Sequence, residues 1–268
     1  MTHNVLERNN VNIFGHGSQT IVFAHGFGCD QAMWRLVVPR FEERYRIVLF
    51  DYVGSGKSRL DAYDLAKYGD LNGYAQDVLD VMEALELRDV IFVGHSVSGM
   101  IGMLASIREP RYFERIVMLG PSPRYMNDLP DYYGGFDKRD IDELLAMMQM
   151  NFIGWASYLA PIVMQNAERT ELAAELEEAF CSRDPQIARQ FAEVTFMSDC
   201  RLSLQQSEVP TLIVQCADDS ISPAEVGEYL HDHLKNSKLE RMSARGHYPH
   251  LSHPEETARV IHAYLAGA

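Results

Sequence analysis

The chain has 268 residues, which is enough for one large α/β domain and marginal for two. Its hydrophobic content of 47% and charged content of 23% are ordinary for a soluble globular protein. The formal net charge of −14 argues against nucleic acid and against an anionic membrane surface as partners.

The sequence shows no sign of an export signal or a membrane span. The start of the chain has no basic segment followed by an apolar core, and no apolar run reaches the ~18 residues that a membrane span needs. The four cysteines have neither CxxC spacing nor the density of a disulfide scaffold. Reduced thiols and a cytoplasmic location are therefore expected. We interpret Cys29, which has no basic neighbour, as a small buried apolar residue.

Hydrophobic patterning predicts alternating strands and helices, without internal repeats or linkers. A helix is expected over Gly73–Leu85, from an apolar stripe at helical spacing, and others after Ser96, Ser222 and Pro254. The alternation favours a mostly parallel, doubly wound sheet of the α/β class. The predicted strands are an N-terminal pair at about 3–7 and 11–14, followed by 20–24, 45–50, 90–93, 115–119, 211–216 and 238–243.

Two glycine-rich stretches follow the first buried strands. His25-Gly26-Phe27-Gly28 comes directly after the strand at 20–24 and is as compatible with an ordinary turn as with a site. Residues 51–58, DYVGSGKS, end like a phosphate-binding loop, but Asp51 stands where that loop needs glycine, and no long helix starts after Ser58. We expect a tight turn there and no nucleotide.

The segment Val90–Leu104, VIFVGHSVSGMIGML, predicts a nucleophile elbow. A β-branched and aromatic run breaks at Gly94, and helix-compatible residues follow Ser98, so Ser96 lies on a sharp strand-to-helix turn. The pattern G-x-S-x-G would place glycine at 98, and here Gly99 comes one residue late. Without a base and an acid elsewhere, the segment would be a Gly/Ser-rich turn with no chemistry. The backbone N–H groups of Val97 and Phe27 are our candidate oxyanion donors.

The interval from about 124 to 196 has no convincing strand and reads as several helices, including 140–150, 170–180 and one that begins at Asp184-Pro185. We expect a helical lid inserted into a core formed by residues 1–123 and 197–268. Apolar side chains there are expected to line a pocket above Ser96, although each one taken singly is better explained as packing. They are Met147, Met148, Met150, Trp155, Phe191 and Phe196, together with Phe27 and Phe136.

An acid and a histidine follow in order. The strand TLIVQC runs into Asp218 and Asp219, and Ser222 with Glu225 reads as a capping box that starts a helix. Two adjacent acids compete for the orienting role. We choose Asp219, because it lies four residues before Pro223, as in the D-x-x-x-P stretch of many α/β-hydrolases.

His247 follows the next predicted strand. The order Ser96, Asp219, His247 is that of the α/β-hydrolases. The imidazole would accept the serine proton during attack, and the carboxylate would hold its tautomer. His250 and His253 recur every third residue, but Pro249 and Pro254 disfavour the helix that a zinc site would need, so no metal is expected and both are interpreted as hydrogen-bonding loop residues.

With these motifs in place, the chain resembles the RsbQ-like α/β-hydrolases, regulators of the energy-stress branch of sigma-B activation in Bacillus, almost from end to end. The resemblance extends to the plant karrikin and strigolactone receptors, which share the GHSVS elbow. It implies catalytic Ser96, Asp219 and His247 and a PAS-domain phosphatase as partner. It also implies a closed apolar pocket touching Phe27, Phe136, Trp155 and Phe196. No cofactor is expected. The motifs that carry it are HGFGCD, FDYVGSGKS, GHSVSGMIGMLAS, GPSPRYMND, YYGGF, CADD and ARGHYPHLSHP.

Two functions follow from different classes. The first is an enzyme in which Ser96 attacks a small hydrophobic ester or lactone to form an acyl-enzyme. The second is a slow-turnover, ligand-binding signalling protein that acts mainly through its partner. A serine at the elbow argues against dehalogenases and epoxide hydrolases, which use a carboxylate, but leaves carbon–carbon bond hydrolases open.

Overall fold

Within the described residues, 4–267, the computed structural model contains one sheet of seven strands. The strands are β1 (Asn12–Phe14), β2 (Thr20–Ala24), β3 (Arg46–Phe50), β4 (Val90–His95), β5 (Phe113–Leu119), β6 (Thr211–Gln215) and β7 (Ser237–Arg241). Their order in the sheet is β1-β3-β2-β4-β5-β6-β7. Strand β1 is antiparallel to β3, and every other neighbouring pair is parallel. The predicted mostly parallel α/β sheet is confirmed.

Side chains alternate between two apolar layers, one on each face of the sheet. In β2, Val22 points into one layer and Phe23 into the other, as the period of two along a strand requires. Helices α2 (Leu71–Ala84), α3 (Val97–Arg108) and α8 (Ala224–His233) cover the first face. The second face is covered by α10 (Pro254–Ala266), which follows the short helix α9 (Pro249–Ser252). Burial of each large aliphatic side chain in these layers stabilises the fold by about 1.5–3 kcal/mol.

Four helices lie between β5 and β6, in the region that we call the helical insertion (residues 124–196). They are α4 (Lys138–Met150), α5 (Phe152–Met164), α6 (Thr170–Cys181) and α7 (Pro185–Phe196). Helix α7 begins as expected, because Asp184 accepts the N–H groups of Gln186 and Ile187. No helix described between residues 4 and 267 has both the length and the apolar character that a membrane crossing requires.

Two local predictions were wrong. The N-terminal strand predicted at 3–7 is the short helix α1 (Val5–Arg8), whose Leu6 N–H is capped by the Asn4 side chain; residue 3 lies outside the described residues. The predicted capping box at Ser222 is absent. The Ser222 hydroxyl instead donates to the Pro121 carbonyl at 2.6 Å, and α8 begins after Pro223 without a side-chain cap.

The stretch that resembles a phosphate-binding loop is a turn organised by Asp51. Its carboxylate accepts the backbone N–H groups of Gln31 and Lys57, each at 3.0 Å, and the side-chain amide of Asn10 at 2.7 Å. Gly56 has a φ of +54° and lies so close to this carboxylate that a Cβ would collide with it. The space that a phosphate would need is therefore filled by the protein's own carboxylate.

Candidate active site

Ser96 lies at the turn between β4 and α3 with a backbone conformation of φ 56° and ψ −124°. This positive φ is unusual for a residue with a side chain and is typical of a nucleophile elbow. The turn is tight, because a Cβ on Gly94 would lie 2.5 Å from the carbonyl oxygen of Ser98. Ser96 is buried, with 4% of its surface exposed.

Ser98 occupies the position where the elbow pattern places glycine. Its hydroxyl donates to the carbonyl of His25 at 2.5 Å and lies 2.9 Å from the Tyr52 hydroxyl. These partners come from the loops after β2 and β3, so Ser98 ties the elbow to both loops. Gly99, one residue later, lets the start of α3 approach Met118. The departure from the pattern leaves the turn intact.

The structure brings Ser96, His247 and Asp219 together. His247 Nε2 lies 2.7 Å from Ser96 Oγ, and His247 Nδ1 lies 2.8 Å and 3.0 Å from the two carboxylate oxygens of Asp219. The Asp219 Oδ1 atom also accepts the backbone N–H groups of Ile221 and Ser222. The side chain of Asp219 is fully buried, whereas Asp218 is exposed. This geometry suits a neutral imidazole that donates from Nδ1 and accepts the serine proton at Nε2.

Hydrogen bonds from the His247 backbone to α5 and to the end of β4 fix the loop that carries His247. The His247 N–H donates to the carbonyl of Val163 on α5, and the His247 carbonyl accepts a hydrogen bond from His95 Nε2, each at 2.8 Å. Gly246 adopts a φ of +83° and packs against the carbonyl of Met164. The position of the imidazole therefore depends on α5 of the helical insertion as well as on the core.

The candidate oxyanion donors border the nucleophile. Val97 is the first residue of α3, so its N–H has no partner within the helix. The loop containing Phe27 approaches the elbow closely, because a Cβ on Gly26 would lie 3.3 Å from Ser96 Cβ and would collide with His95. The two residues that carry the candidate donors therefore lie next to Ser96, at the carboxyl edge of the sheet.

A small cavity of about 20 Å³ lies over Ser96, which is room for about one water molecule. Phe27 and Phe196 line it, as expected. Phe136 and Trp155, which were also expected, do not: Phe136 packs behind Phe196 with ring centroids 5.9 Å apart, and Trp155 packs beside Phe27 at 6.0 Å. The cavity is lined by Phe27, Ser96, Tyr125, Leu159, Val163, Phe180, Thr195, Phe196, Ile221, His247 and Tyr248.

Tyr125 is a site residue that the sequence analysis missed. Its hydroxyl lies 3.3 Å from Ser96 Oγ. Burial raises the pKa of this phenol, so the group is neutral near the serine. The available signal was topological: Tyr125 follows β5, which is the neighbour of β4, and the carboxyl ends of both strands meet at this edge.

Two further histidines, His250 and His253, follow His247 along the chain. His250 lies against Trp34, with ring centroids 4.6 Å apart, and against His95 at 4.4 Å. The Nδ1 atom of His250 has no hydrogen-bond partner in the described part of the chain. His253 Nδ1 lies 2.9 Å from the Ser252 hydroxyl, as predicted for a hydrogen-bonding loop residue. Among residues 4–267, no group of three or more ligating side chains could hold a metal ion.

The buried histidines predict acid sensitivity of the fold. Burial lowers the pKa of His25, of His95 and of His250, the last to about 3. In the unfolded chain each imidazole titrates near its ordinary value of 6.5. The unfolded state therefore binds the extra protons first, so this contribution to stability is complete above pH 6.5 and is lost progressively as the pH falls toward 3. For His250, the loss at pH 5 lowers the free energy of unfolding by about 2 kcal/mol.

Urea unfolding at pH 7 and pH 5 checks this expectation. His250→Phe keeps an aromatic ring at this position but cannot titrate. Between pH 7 and pH 5, we expect its free energy of unfolding to fall by about 2 kcal/mol less than that of the wild type. His231→Gln is the matched control, since His231 is exposed. An identical pH dependence in the wild type and His250→Phe would show that His250 is not held neutral in the fold.

The chain is similar to known hydrolases and plant receptors along nearly its whole length. Residues 21–260 match the family described as "Alpha/beta hydrolase family". The Karrikin insensitive 2 receptor CA of Petunia hybrida is 41% identical over 258 residues, covering 96% of this chain and 95% of the receptor. The Strigolactone esterase D14 of Arabidopsis thaliana is 37% identical, covering 98% of each chain. A solved hydrolase from Oleispira antarctica is 43% identical with a TM-score of 0.97, covering 99% of this chain and 97% of its own.

Proposed function

We propose that this chain, which belongs to the alpha/beta hydrolase family, is a serine hydrolase that acts on small hydrophobic esters or lactones. The observation that carries the proposal is the continuous set of contacts from Ser96 Oγ through His247 to the buried Asp219 carboxylate. This arrangement supplies a nucleophile, a base and a group that orients the base. The proposal needs no cofactor.

The reaction would proceed in two halves. Ser96 Oγ attacks the carbonyl carbon while His247 Nε2 takes the hydroxyl proton, and the N–H groups of Phe27 and Val97 stabilise the resulting oxyanion. Collapse breaks the bond to the leaving alkoxide, which receives the proton from His247, and leaves an acyl-enzyme. Water then attacks with the same base, releasing the acid and restoring Ser96. In a lactone both halves of the substrate remain one molecule, which leaves as the hydroxy acid.

The lining of the cavity supports a compact, uncharged substrate. Its apolar walls come mainly from Phe27, Phe180 and Phe196, and among residues 4–267 no lysine, arginine, aspartate or glutamate lines it. A charged substrate would lose its hydration without gaining a partner. The cavity holds about one water molecule, so binding requires the helical insertion, or side chains on it, to move.

A second candidate is a slow-turnover, ligand-binding signalling protein. The small cavity favours it, because an insertion that must move for each ligand can report that the ligand is bound. The similarity to proteins named as karrikin receptors is consistent with this role. Under this candidate we propose an RsbQ-like stress-signalling role with a PAS-domain phosphatase as partner. The four unpaired cysteines support a reducing, cytoplasmic setting.

Stopped-flow hydrolysis of p-nitrophenyl acetate and p-nitrophenyl butyrate separates the two candidates. Steady release of nitrophenolate over many turnovers is expected for a working esterase. A burst of one equivalent followed by near-silence would favour the slow-turnover protein, since acylation would then outrun deacylation. Release no faster than in buffer with either ester would overturn the proposed hydrolysis.

A further inference from the structure

Helix α7 turns one face toward the cavity and the core, and a single polar residue lies on it. Residue spacing along this face is that of an amphipathic helix, so apolar side chains are expected at every position. Thr195 is the exception, with 2% of its surface exposed. The buried residues of the face are Ala188, Phe191, Ala192, Thr195 and Phe196.

The hydroxyl of Thr195 has no hydrogen-bond partner within residues 4–267. Other polar side chains that line the cavity are paired. The Tyr125 hydroxyl lies 3.3 Å from Ser96 Oγ, and the Tyr248 hydroxyl lies 3.5 Å from the carbonyl of Phe27. A buried hydroxyl without a partner is unfavourable, and a ligand that supplies an acceptor would remove the penalty.

We propose that Thr195 determines specificity by donating a hydrogen bond to a second oxygen of the substrate. The inference rests on the proposed function, because it concerns the same cavity. The carbonyl that Ser96 attacks would face the N–H groups of Phe27 and Val97, at the carboxyl edge of the sheet. Thr195 lies on the helical insertion, so the acceptor that it meets is a different atom: an ether, ring or carbonyl oxygen elsewhere in the molecule. The preferred substrate class is an uncharged ester or lactone with an additional oxygen acceptor.

The neighbour of Thr195 indicates where this second oxygen lies. Phe196 follows it on α7, and the Phe196 ring packs against Tyr125 and Phe27, with centroids 5.2 Å and 6.1 Å away. Thr195 therefore adjoins the aromatic wall that faces the nucleophile. A substrate that reaches both groups can be short, which agrees with the small cavity.

Matched esters test the proposal. The p-nitrophenyl esters of methoxyacetate and 3-methoxypropionate differ from butyrate and pentanoate by one oxygen in place of one methylene. Thr195→Val, which keeps the shape and removes the hydroxyl, is expected to lower kcat/KM for at least one ether ester about 5- to 10-fold relative to its carbon counterpart. Thr195→Ser retains the hydroxyl and should keep the wild-type ratio. Equal ratios in the wild type and Thr195→Val for both pairs would overturn the assignment.

A stability measurement provides an independent readout. Because Thr195→Val replaces an unpaired buried hydroxyl by a methyl group of similar size, we expect the Tm of the ligand-free protein to rise by about 2–4 °C. An unchanged or lower Tm would show that the hydroxyl is already paired, which would also overturn the proposal. If the wild type hydrolyses none of the four esters, the proposed function fails separately. The Thr195 comparison is then made by binding the same esters to Ser96→Ala protein, followed by intrinsic fluorescence.

Discussion

Replacing Ser96 by alanine is expected to lower kcat for p-nitrophenyl acetate by about 10⁴-fold or more, since no acyl-enzyme can form without the hydroxyl. The fold should be unchanged, because the substitution removes one oxygen and leaves the elbow glycine Gly94 and the Ser98 contacts in place. Rates are measured with wild-type and Ser96→Ala protein of matched Tm. A rate within about tenfold of the wild type would show that another group carries the attack.

The matched control for this experiment is Ser106→Ala. Ser106 is also buried and also lies on α3, but its hydroxyl donates only to the carbonyl of Met103 within the helix. We expect Ser106→Ala to keep wild-type kcat. Mass spectrometry after treatment with a serine-directed fluorophosphonate adds a second readout: the wild type and Ser106→Ala should gain one adduct, and Ser96→Ala none. An adduct on Ser96→Ala would contradict the assignment of the nucleophile.

The sheet was readable from the sequence because its central strands are buried on both faces. Residues 21–24 in β2 and 90–93 in β4 are continuous apolar runs, and their buried side chains contribute to both layers. A strand that is apolar on both faces is recognisable without knowing which elements pack against it. The N-terminal segment is different: α1 is four residues long with no buried residue, so local capping by Asn4 decided its structure and hydrophobic alternation did not.

The order of Ser96, Asp219 and His247 was visible in the sequence because each follows a strand whose carboxyl end lies at one edge of the sheet. The sequence did not show what the serine at position 98 does in the turn. Its two partners, His25 and Tyr52, are 73 and 46 residues away along the chain. Only the folded chain shows that a serine fits where the pattern places glycine, and that it links three loops.

The helical insertion was the least readable part. Helix α5 was not predicted as a separate helix, because its sequence FIGWASYLAPIVM is apolar on nearly every face and contains Pro161, so it has no clear helical stripe. The pocket residues were predicted from the aromatic and methionine content of the insertion, and content does not tell which way a side chain points. The structure places Trp155 and Phe136 behind the residues that line the cavity, and Met150 is 81% exposed.

Asp219→Asn is expected to lower kcat by about 10³- to 10⁴-fold while leaving KM nearly unchanged, because Asp219 lies behind His247 and does not line the cavity. The reason is the tautomer. Oδ1 of Asp219 accepts the backbone N–H groups of Ile221 and Ser222, so an asparagine must place its oxygen there. Its NH₂ group then faces His247 Nδ1, in the position of the oxygen that is 2.8 Å away. The imidazole must accept at Nδ1 and carry its proton on Nε2, where it cannot take the proton of Ser96.

Asp218→Asn is the control that the chain itself supplies. Asp218 is adjacent and exposed, and its contact with the His247 loop is made by its backbone carbonyl, which accepts the Gly246 N–H at 2.8 Å. The same substitution there should change kcat by no more than about twofold. Nitrogen-15 NMR of the imidazole reports the tautomer directly, with the proton expected on Nδ1 in the wild type and Asp218→Asn and on Nε2 in Asp219→Asn. A large loss of kcat with the proton still on Nδ1 would mean that Asp219 acts by its charge rather than by holding the tautomer.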